Sequence, residues 1–530
     1  MARGPSPLVQ YAMTDTPFRA DILIAGAGPT GLVLAIWLTK LGVRVRIIDK
    51  VAEPGTTSRA LAVQARTLEF YEQIGLAEAV LERGHKVPAL NLWVRHARAA
   101  RVPLEDMGKG LTAFPYPVIF PQDEHERLLI AHLAELGVRV ERSLELIGFE
   151  DNGQRVLAAL RNSDGSEERC SYAYLAGCDG ARSKARELLS IGFPGGTYDH
   201  LFYVADVEAR GPPMNGELHV DLDEADFLAV FPLKGAGRAR LIGSVRDDIA
   251  KEHEQLRFED VKDRAIRNLR VEVTRVNWFS TYRVHHRVAL RFRVGRAFLL
   301  GDAAHIHSPV GGQGMNTGIG DAVNLAWKLA AAIKAPSSII LLDTYEPERI
   351  AFARRLVATT DRAFSGVLNP SAMARFVRTA VIPSLAPPIF QVPLMRWFAF
   401  RTVSQIAVNY RRSELSAGKA GKVQGGDRLP WQPLNIPGGD ASNHTPLRSL
   451  RWQFHVYGEI SAHLKSVCID HGIPIHVFPW QPEMTQTGLQ RDAIYLVRPD
   501  GYVAFANAES DEAALETYLS KHNIGAIAQP

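Results

Sequence analysis

Cysteine is scarce in this 530-residue chain: Cys170, Cys178 and Cys468 are the only three, and none stands in a CxxC or metal-like spacing. That excludes a disulfide framework and a dithiol redox centre, and it fits a reducing, cytoplasmic compartment. A charge excess of one sign is also lacking, since 61 Lys and Arg face 57 Asp and Glu for a net charge of +4. Without a long basic run interleaved with aromatics, nucleic-acid binding has no support. The one long apolar stretch, Ile22 to Val43, holds four glycines and a proline, so it reads as a βα unit and not a membrane span. No charged n-region with a small-residue cleavage site precedes it. Residues 1–20 read as a polar, proline-containing tail in which Met13 is an alternative start. The remaining length exceeds what one hydrophobic core supports, so two or three domains are expected.

Within that apolar stretch, Asp21 to Ala25 is a short strand, Gly26-Ala27-Gly28-Pro29-Thr30-Gly31 follows, and Leu32 to Leu41 continues as a helix. Gly26 permits the tight turn, Gly28 lets backbone approach a pyrophosphate, and Gly31 lets helix and strand pack closely. The positive helix end faces the anion. A second strand, Val43 to Ile48, ends at Asp49, near the offset of about twenty residues expected for the acid that binds an adenosine ribose. An acid there disfavours a 2′-phosphate, so NADP is not the expected occupant of this fold. No second glycine fingerprint of this kind occurs.

Farther along, a loop at Ser58-Arg59-Ala60 leads into a helix reaching Gly75, with Arg59 and Arg66 on the side where phosphate or flavin would lie. Pro121-Gln122-Asp123 opens a helix to Leu136, and a strand Tyr174 to Gly177 runs into Cys178-Asp179-Gly180 and a further helix. From about His200 the pattern changes to period two: Leu201 to Ala209, Glu217 to Leu222, Phe227 to Leu233 and Arg238 to Val245 read as an antiparallel sheet. A helix from Phe258 to Leu269 and a strand through Trp278 to Val288 complete it. Tyr203, Phe231, Trp278 and Tyr282 are aromatic candidates for a pocket wall, with core packing as the competing role.

The second informative segment follows a strand from Arg296 to Leu300. Gly301-Asp302 ends that strand, a loop runs from Ala303 to Gly312, and a long helix begins near Gly314-Met315-Asn316. Asp302 at a strand's carboxyl end suits hydrogen bonds from ribityl hydroxyls. Unpaired N–H groups of Gly314, Met315 and Asn316 form a positive helix end suited to a reduced flavin's negative charge. Pro309, Gly311 and Gly312 leave room above the ring. The histidine pairs 305/307 and 285/286 could be read as metal ligands, but no neighbouring Cys, Asp or Glu completes a site.

With these motifs in order, and with Asp343-Thr344-Tyr345-Glu346-Pro347-Glu348-Arg349 after them, the chain resembles the class A flavoprotein monooxygenases of the para-hydroxybenzoate hydroxylase fold. The resemblance implies FAD held by Gly26, Gly28, Gly31, Asp49, Arg59, Gln122 and Asp302, with Asp179 and Gly180 touching flavin and reductant and Gly314, Met315 and Asn316 at the ring. Asp49 stands where many relatives carry Glu. It further implies reduction by NADPH or NADH bound transiently, oxygen addition at flavin C4a, and hydroxylation of an electron-rich, phenolic ring by the hydroperoxide. Pro309 and Gly314 would lie beside the reacting position, and Tyr282 and His285 are the candidates for activating the phenol. Competing readings are a membrane-associated epoxidase or hydroxylase of an isoprenoid lipid and a flavin-binding protein without turnover. A halogenase is disfavoured by the missing Trp-x-Trp-x-Ile-Pro signature.

The expected architecture is α/β, α+β overall. It comprises a tail (1–20), a Rossmann-like FAD domain (21–199 and 286–360), an inserted substrate-binding antiparallel sheet (200–285), a helical cover (361–416) and a C-terminal unit (427–530). The helical region is basic, apolar and broken by prolines at 383, 387, 388 and 393, so a pocket cover or homodimer contact is expected over a membrane-surface helix. Ala417 to Gly426 reads as a linker. The strand and helix order from Gln453 to His522 resembles a thioredoxin-like domain, and with Cys468 as its sole cysteine its role is structural or interfacial.

Overall fold

The computed structural model describes residues 20–55, 60–222, 227–245, 256–261, 264–308, 310–368, 371–434, 441–509 and 511–524. Arg59 and Pro309 lie outside them.

Strand β1 (Ile22–Ala25) is buried along its whole length, as expected of a central parallel strand with both faces covered. Helix α1 (Pro29–Lys40) follows, with Pro29 at its first turn and an apolar surface all round, which is why it is enclosed by protein. Strand β2 is Val45–Asp49. The sheet built on these strands has the order Arg293–Val294, Ala297–Leu299, Tyr174–Gly177, β1, β2, Val140–Arg142, and all but its first strand run parallel. The ends of β1, Tyr174–Gly177 and Ala297–Leu299 therefore converge, bringing Gly26, Cys178-Asp179 and Gly301-Asp302 to one edge of the sheet.

An eight-stranded sheet stands beside that edge. Its centre is Gly195–Arg210 against Glu272–Val288 on one side and Arg238–Val245 on the other, then Leu228–Pro232 and Leu218–Asp221. Two strands from much earlier in the chain extend it: Ala89–Val94 pairs in parallel with Leu218–Asp221, and Ala97–Pro103 closes the edge. Residues 89–103, expected within the first nucleotide-binding segment, thus extend this second sheet; a parallel pairing of Leu90 with Leu218 leaves no local mark in the sequence. The opposite edge strand is His305–Ile306, which belongs to the second cofactor segment.

The C-terminal sheet has Gln453–Tyr457 parallel to Ile475–Phe478 and antiparallel to Ile494–Val497, which pairs with Val503–Asn507. The stretch expected as a linker is instead the edge of this sheet: Ala417–Ala420 pairs in parallel with Val503–Asn507 and antiparallel with Val423–Gln424. Its glycines serve close approach and not flexibility; a Cβ at Gly418, whose φ is +73°, would meet the Ala506 carbonyl oxygen at 2.0 Å. No helix among the described residues is long and apolar enough to cross a membrane.

Candidate flavin and substrate site

Close packing shapes the first loop everywhere except at one point. A Cβ on Gly26 would stand 2.3 Å from the Cys178 carbonyl oxygen, and one on Gly31 would stand 2.0 Å from the carbonyl oxygen of Gly26. At Gly28, by contrast, an added Cβ meets nothing within 4 Å. Gly28 is also the N-cap of α1, with no side chain capping the helix, so the helix end opens onto free space. Asp49 closes the loop from β2: its Oδ2 accepts the Ala27 N–H at 2.8 Å and its Oδ1 accepts that of Val51 at 2.9 Å.

Around this edge the remaining expected residues divide by what their side chains are already doing. Asp302 is exposed at the end of its strand, in a 3-10 turn over Gly301–Ala303. Gln122 opens its helix, accepting the Ala60 N–H at 3.3 Å and donating to Glu126 at 2.8 Å. The Asp179 carboxylate accepts from Ser183 Oγ and the Ala185 N–H, so it caps the following helix while Gly180 takes a φ of +78°. Asn316 is buried as a staple: Oδ1 accepts from Gln64 N–H and Thr67 Oγ1, and Nδ2 donates to the carbonyls of Ala62 and Gly312. Only its backbone N–H is left to face a ligand, together with those of Gly314 and Met315 at a helix start that no side chain caps.

Two residues that sequence reasoning left without a role complete this corner. Asp321 is fully buried on the Gly314–Lys334 helix; its Oδ2 accepts the Gly301 N–H at 3.0 Å and pairs with His305 Nε2 at 2.7 Å, while Oδ1 accepts from Arg349 Nε at 2.6 Å. Burial alone would raise its carboxyl, but Arg349 and His305 hold it below the usual range. His307 donates Nδ1–H to the Ser308 carbonyl, and its buried Nε2 has no partner among the described residues. Burial pushes its ring down to about 4, and a Cβ on Gly314 would stand 3.6 Å from Nε2. A neutral acceptor therefore sits at the helix start. An acid inside the apolar run of the Gly314 helix was the sequence signal for Asp321, since such a group is buried only with partners.

The eight-stranded sheet turns one face towards this corner. Val204, Ile242 and Leu233 pack with Leu61, Val87 and Ile119, and Phe231, Trp278 and Tyr282 flank them. On the same face a buried Arg240 binds Asp206 through two bonds, 2.6 and 2.7 Å, and lies over the Trp278 ring. Tyr203 leaves the opposite face and packs on Phe279, in the cluster that also holds Phe258. His285 is three residues from Tyr282 on a continuous strand, so the pleat sends its side chain to the other face, where it bonds Thr197 at 2.7 Å. The structure thus does not bring the two phenol-activating candidates together. Arg66 is likewise turned away from any phosphate: it is buried against Glu69, the Asp500 carbonyl and the rings of Phe70 and Tyr502.

Residues 19–360 match the family described as FAD binding domain. The chain belongs to that family, the class A flavin-dependent monooxygenases. It is 34% identical over 95% of its length, and 94% of the other's, to 6-methylpretetramide 4-monooxygenase of Streptomyces rimosus. Pentachlorophenol 4-monooxygenase of Sphingobium chlorophenolicum is 32% identical over 64% of each chain. Among solved structures, OxyS anhydrotetracycline hydroxylase from Streptomyces rimosus superposes with a TM-score of 0.76 at 30% identity, over 95% of this chain and 99% of that one. The residues present fit FAD: open space at Gly28 for a pyrophosphate, an exposed acid at Asp302 for hydroxyls, and an uncapped helix start at Gly314 for an anionic ring edge.

Proposed function

We propose that this enzyme takes two electrons from NADPH or NADH and inserts one atom of O2 into an electron-rich aromatic ring, releasing the other as water. The balance is one reduced nicotinamide, one proton, one O2 and one aromatic C–H giving the oxidised nicotinamide, water and a phenol. Bound FAD supplies the hydride acceptor and the oxygen-activating centre. Gly26, Gly28, Gly31 and Asp49 hold its adenosine and pyrophosphate end, Gln122, Gly180 and Asp302 its middle, and the N–H groups of Gly314, Met315 and Asn316 stabilise charge on its ring. Only one dinucleotide fingerprint occurs in the sequence, which favours transient binding of the nicotinamide.

The observation that carries the reading is the meeting of two surfaces. An aromatic and aliphatic sheet face bearing Phe231, Trp278 and Tyr282 packs in one cluster with Ala62, and a Cβ on Gly312 of the flavin corner would stand 2.6 Å from that alanine's Cβ. Such a wall excludes water and grips a flat, apolar substrate. Tyr282, half-buried on that face, is the residue to orient a substrate hydroxyl. The relatives matched over 95% of this chain are named for 6-methylpretetramide and anhydrotetracycline, which supports a multi-ring phenolic substrate over a single ring such as the pentachlorophenol of the relative matched over 64%.

Anaerobic mixing of the yellow holoprotein with NADPH or NADH tests this directly. Bleaching of the flavin, accelerated by a multi-ring phenol over single-ring phenols, is expected. Absence of reduction by either nicotinamide, with every phenol tried, would overturn it.

A further inference from the structure

Nineteen large hydrophobic side chains are exposed among the described residues, and twelve of them fall between Met373 and Val403. Chance scatter of surface apolar residues does not produce such a concentration. The helices involved are Ala372–Phe376, the π-turn Val377–Val381, Ile382–Gln391 and Pro393–Val403. Ile382, Leu385 and Ile389 recur at helical spacing, and the last helix turns out Leu394, Met395, Trp397 and Phe398, the last at 70% exposure. These helices are docked and not loose. Phe400 is buried in the main core against Gly108, where a Cβ would approach its ring to 2.2 Å, and the Ile382–Gln391 helix packs along Ala97–Pro103.

Charge sorts the same way. From Arg362 to Ser413 the chain has seven arginines and no lysine, aspartate or glutamate. Because the whole chain is only +4, everything outside this segment is net negative. Arg375, Arg401, Arg411 and Arg412 are exposed, with Arg411 held by Asp427 at 2.6 Å. An apolar, Trp- and Phe-bearing face rimmed by arginine, on a segment that itself carries no carboxylate, matches an interface of acyl chain and anionic headgroup. A second copy meeting this face about a two-fold axis would set the arginines of one segment against those of the other, with no acid within either segment to answer them.

We propose that the face formed by residues 372–403 seats the enzyme on an anionic membrane surface, lying in the interface without crossing it. Leu394, Trp397 and Phe398 enter the headgroup layer, and Arg375 and Arg401 contact its phosphates. The nucleotide-binding sheet and the C-terminal sheet stay in water.

Flotation of the FAD-loaded enzyme with vesicles of phosphatidylcholine, with and without phosphatidylglycerol, is the test. Co-flotation that needs phosphatidylglycerol is expected, weakened roughly tenfold by raising salt or by Arg375→Glu with Arg401→Glu. Leu394→Ser with Phe398→Ser should abolish it while FAD content and nicotinamide-driven bleaching in solution stay unchanged, which separates this proposal from the catalytic reading. Equal binding to both vesicle types, or none to either, would overturn it. A concentration-dependent dimer lost in the Leu394→Ser, Phe398→Ser variant, with no flotation, would overturn it and assign the face to self-association.

Discussion

The glycine loop at residues 26–31 and the junction of the C-terminal unit with the Gly314–Lys334 helix are both closely fitted, yet opposite means hold them. The loop is fixed by backbone clearances, and its one open point, at Gly28, is where a ligand belongs. At the junction the space is filled with charge. Arg498, fully buried, binds Glu348 at 2.8 and 3.0 Å and Asp500 at 2.6 and 3.0 Å. Lys328 reaches Glu348 at 2.8 Å, Trp327 donates to Asp500, and Glu69 joins Arg66 to Arg428 nearby. Steric clearance selects a ligand because a cavity is either free or blocked. A buried ionic cluster selects a partner domain because each charge is tolerable only with its counterparts in place.

Breaking the junction should produce the largest effect. Arg498→Met leaves two carboxylates buried without their guanidinium, at a cost of about 3–5 kcal/mol. Urea unfolding should show that loss, and adding Glu348→Gln should recover part of it; an unchanged midpoint would mean that the C-terminal unit is held mainly by apolar packing. Acid probes the same charges without mutation. Burial would raise Glu348 and Glu69, but Arg498 and Lys328 for the first, and Arg428 and Arg66 for the second, hold both well below the ordinary 4.5. Depressed carboxyls contribute stability that is complete above that value and is lost as pH falls through the folded-state values. Unfolding midpoints should therefore drop below about pH 4.5, less steeply in Glu348→Gln.

At the loop the contrast between neighbouring glycines is the sharper test. Gly31→Ala must displace backbone and should lose both thermal stability and FAD. Gly28→Ala should keep the melting temperature of the apoprotein and lose FAD affinity alone, so equal loss of stability in both would erase the difference between the two glycines. The mildest of these changes is Asp302→Ala, expected to weaken FAD by about 10- to 100-fold through loss of charge-assisted hydrogen bonds. Equilibrium dialysis measures it, and unaltered affinity would move the ribityl contacts elsewhere.

The same contrast explains what could be read from the sequence. The strand, glycines and acid from Ile22 to Asp49 are contiguous, and so are Gly301, Asp302 and the Gly314 helix, so period and spacing expose them. Arg66 could not be placed because its partner carbonyl, Asp500, is 434 residues away. Ala417 to Gly426 looked like a linker because glycine signals flexibility and close approach alike. The separation of Tyr282 from His285 was legible, since an odd offset on a strand sends side chains to opposite faces.

His305 and Ile306 are both part of the flavin corner and the last strand of the eight-stranded sheet, paired with Val288 and Arg287, with Ala289 donating to the Ala304 carbonyl at 2.7 Å. For protein engineering this makes the sheet a poor cassette. A chimera carrying a foreign sheet has to reproduce those backbone pairings residue for residue, or the graft will tilt the turn that carries Asp302 along with the new pocket.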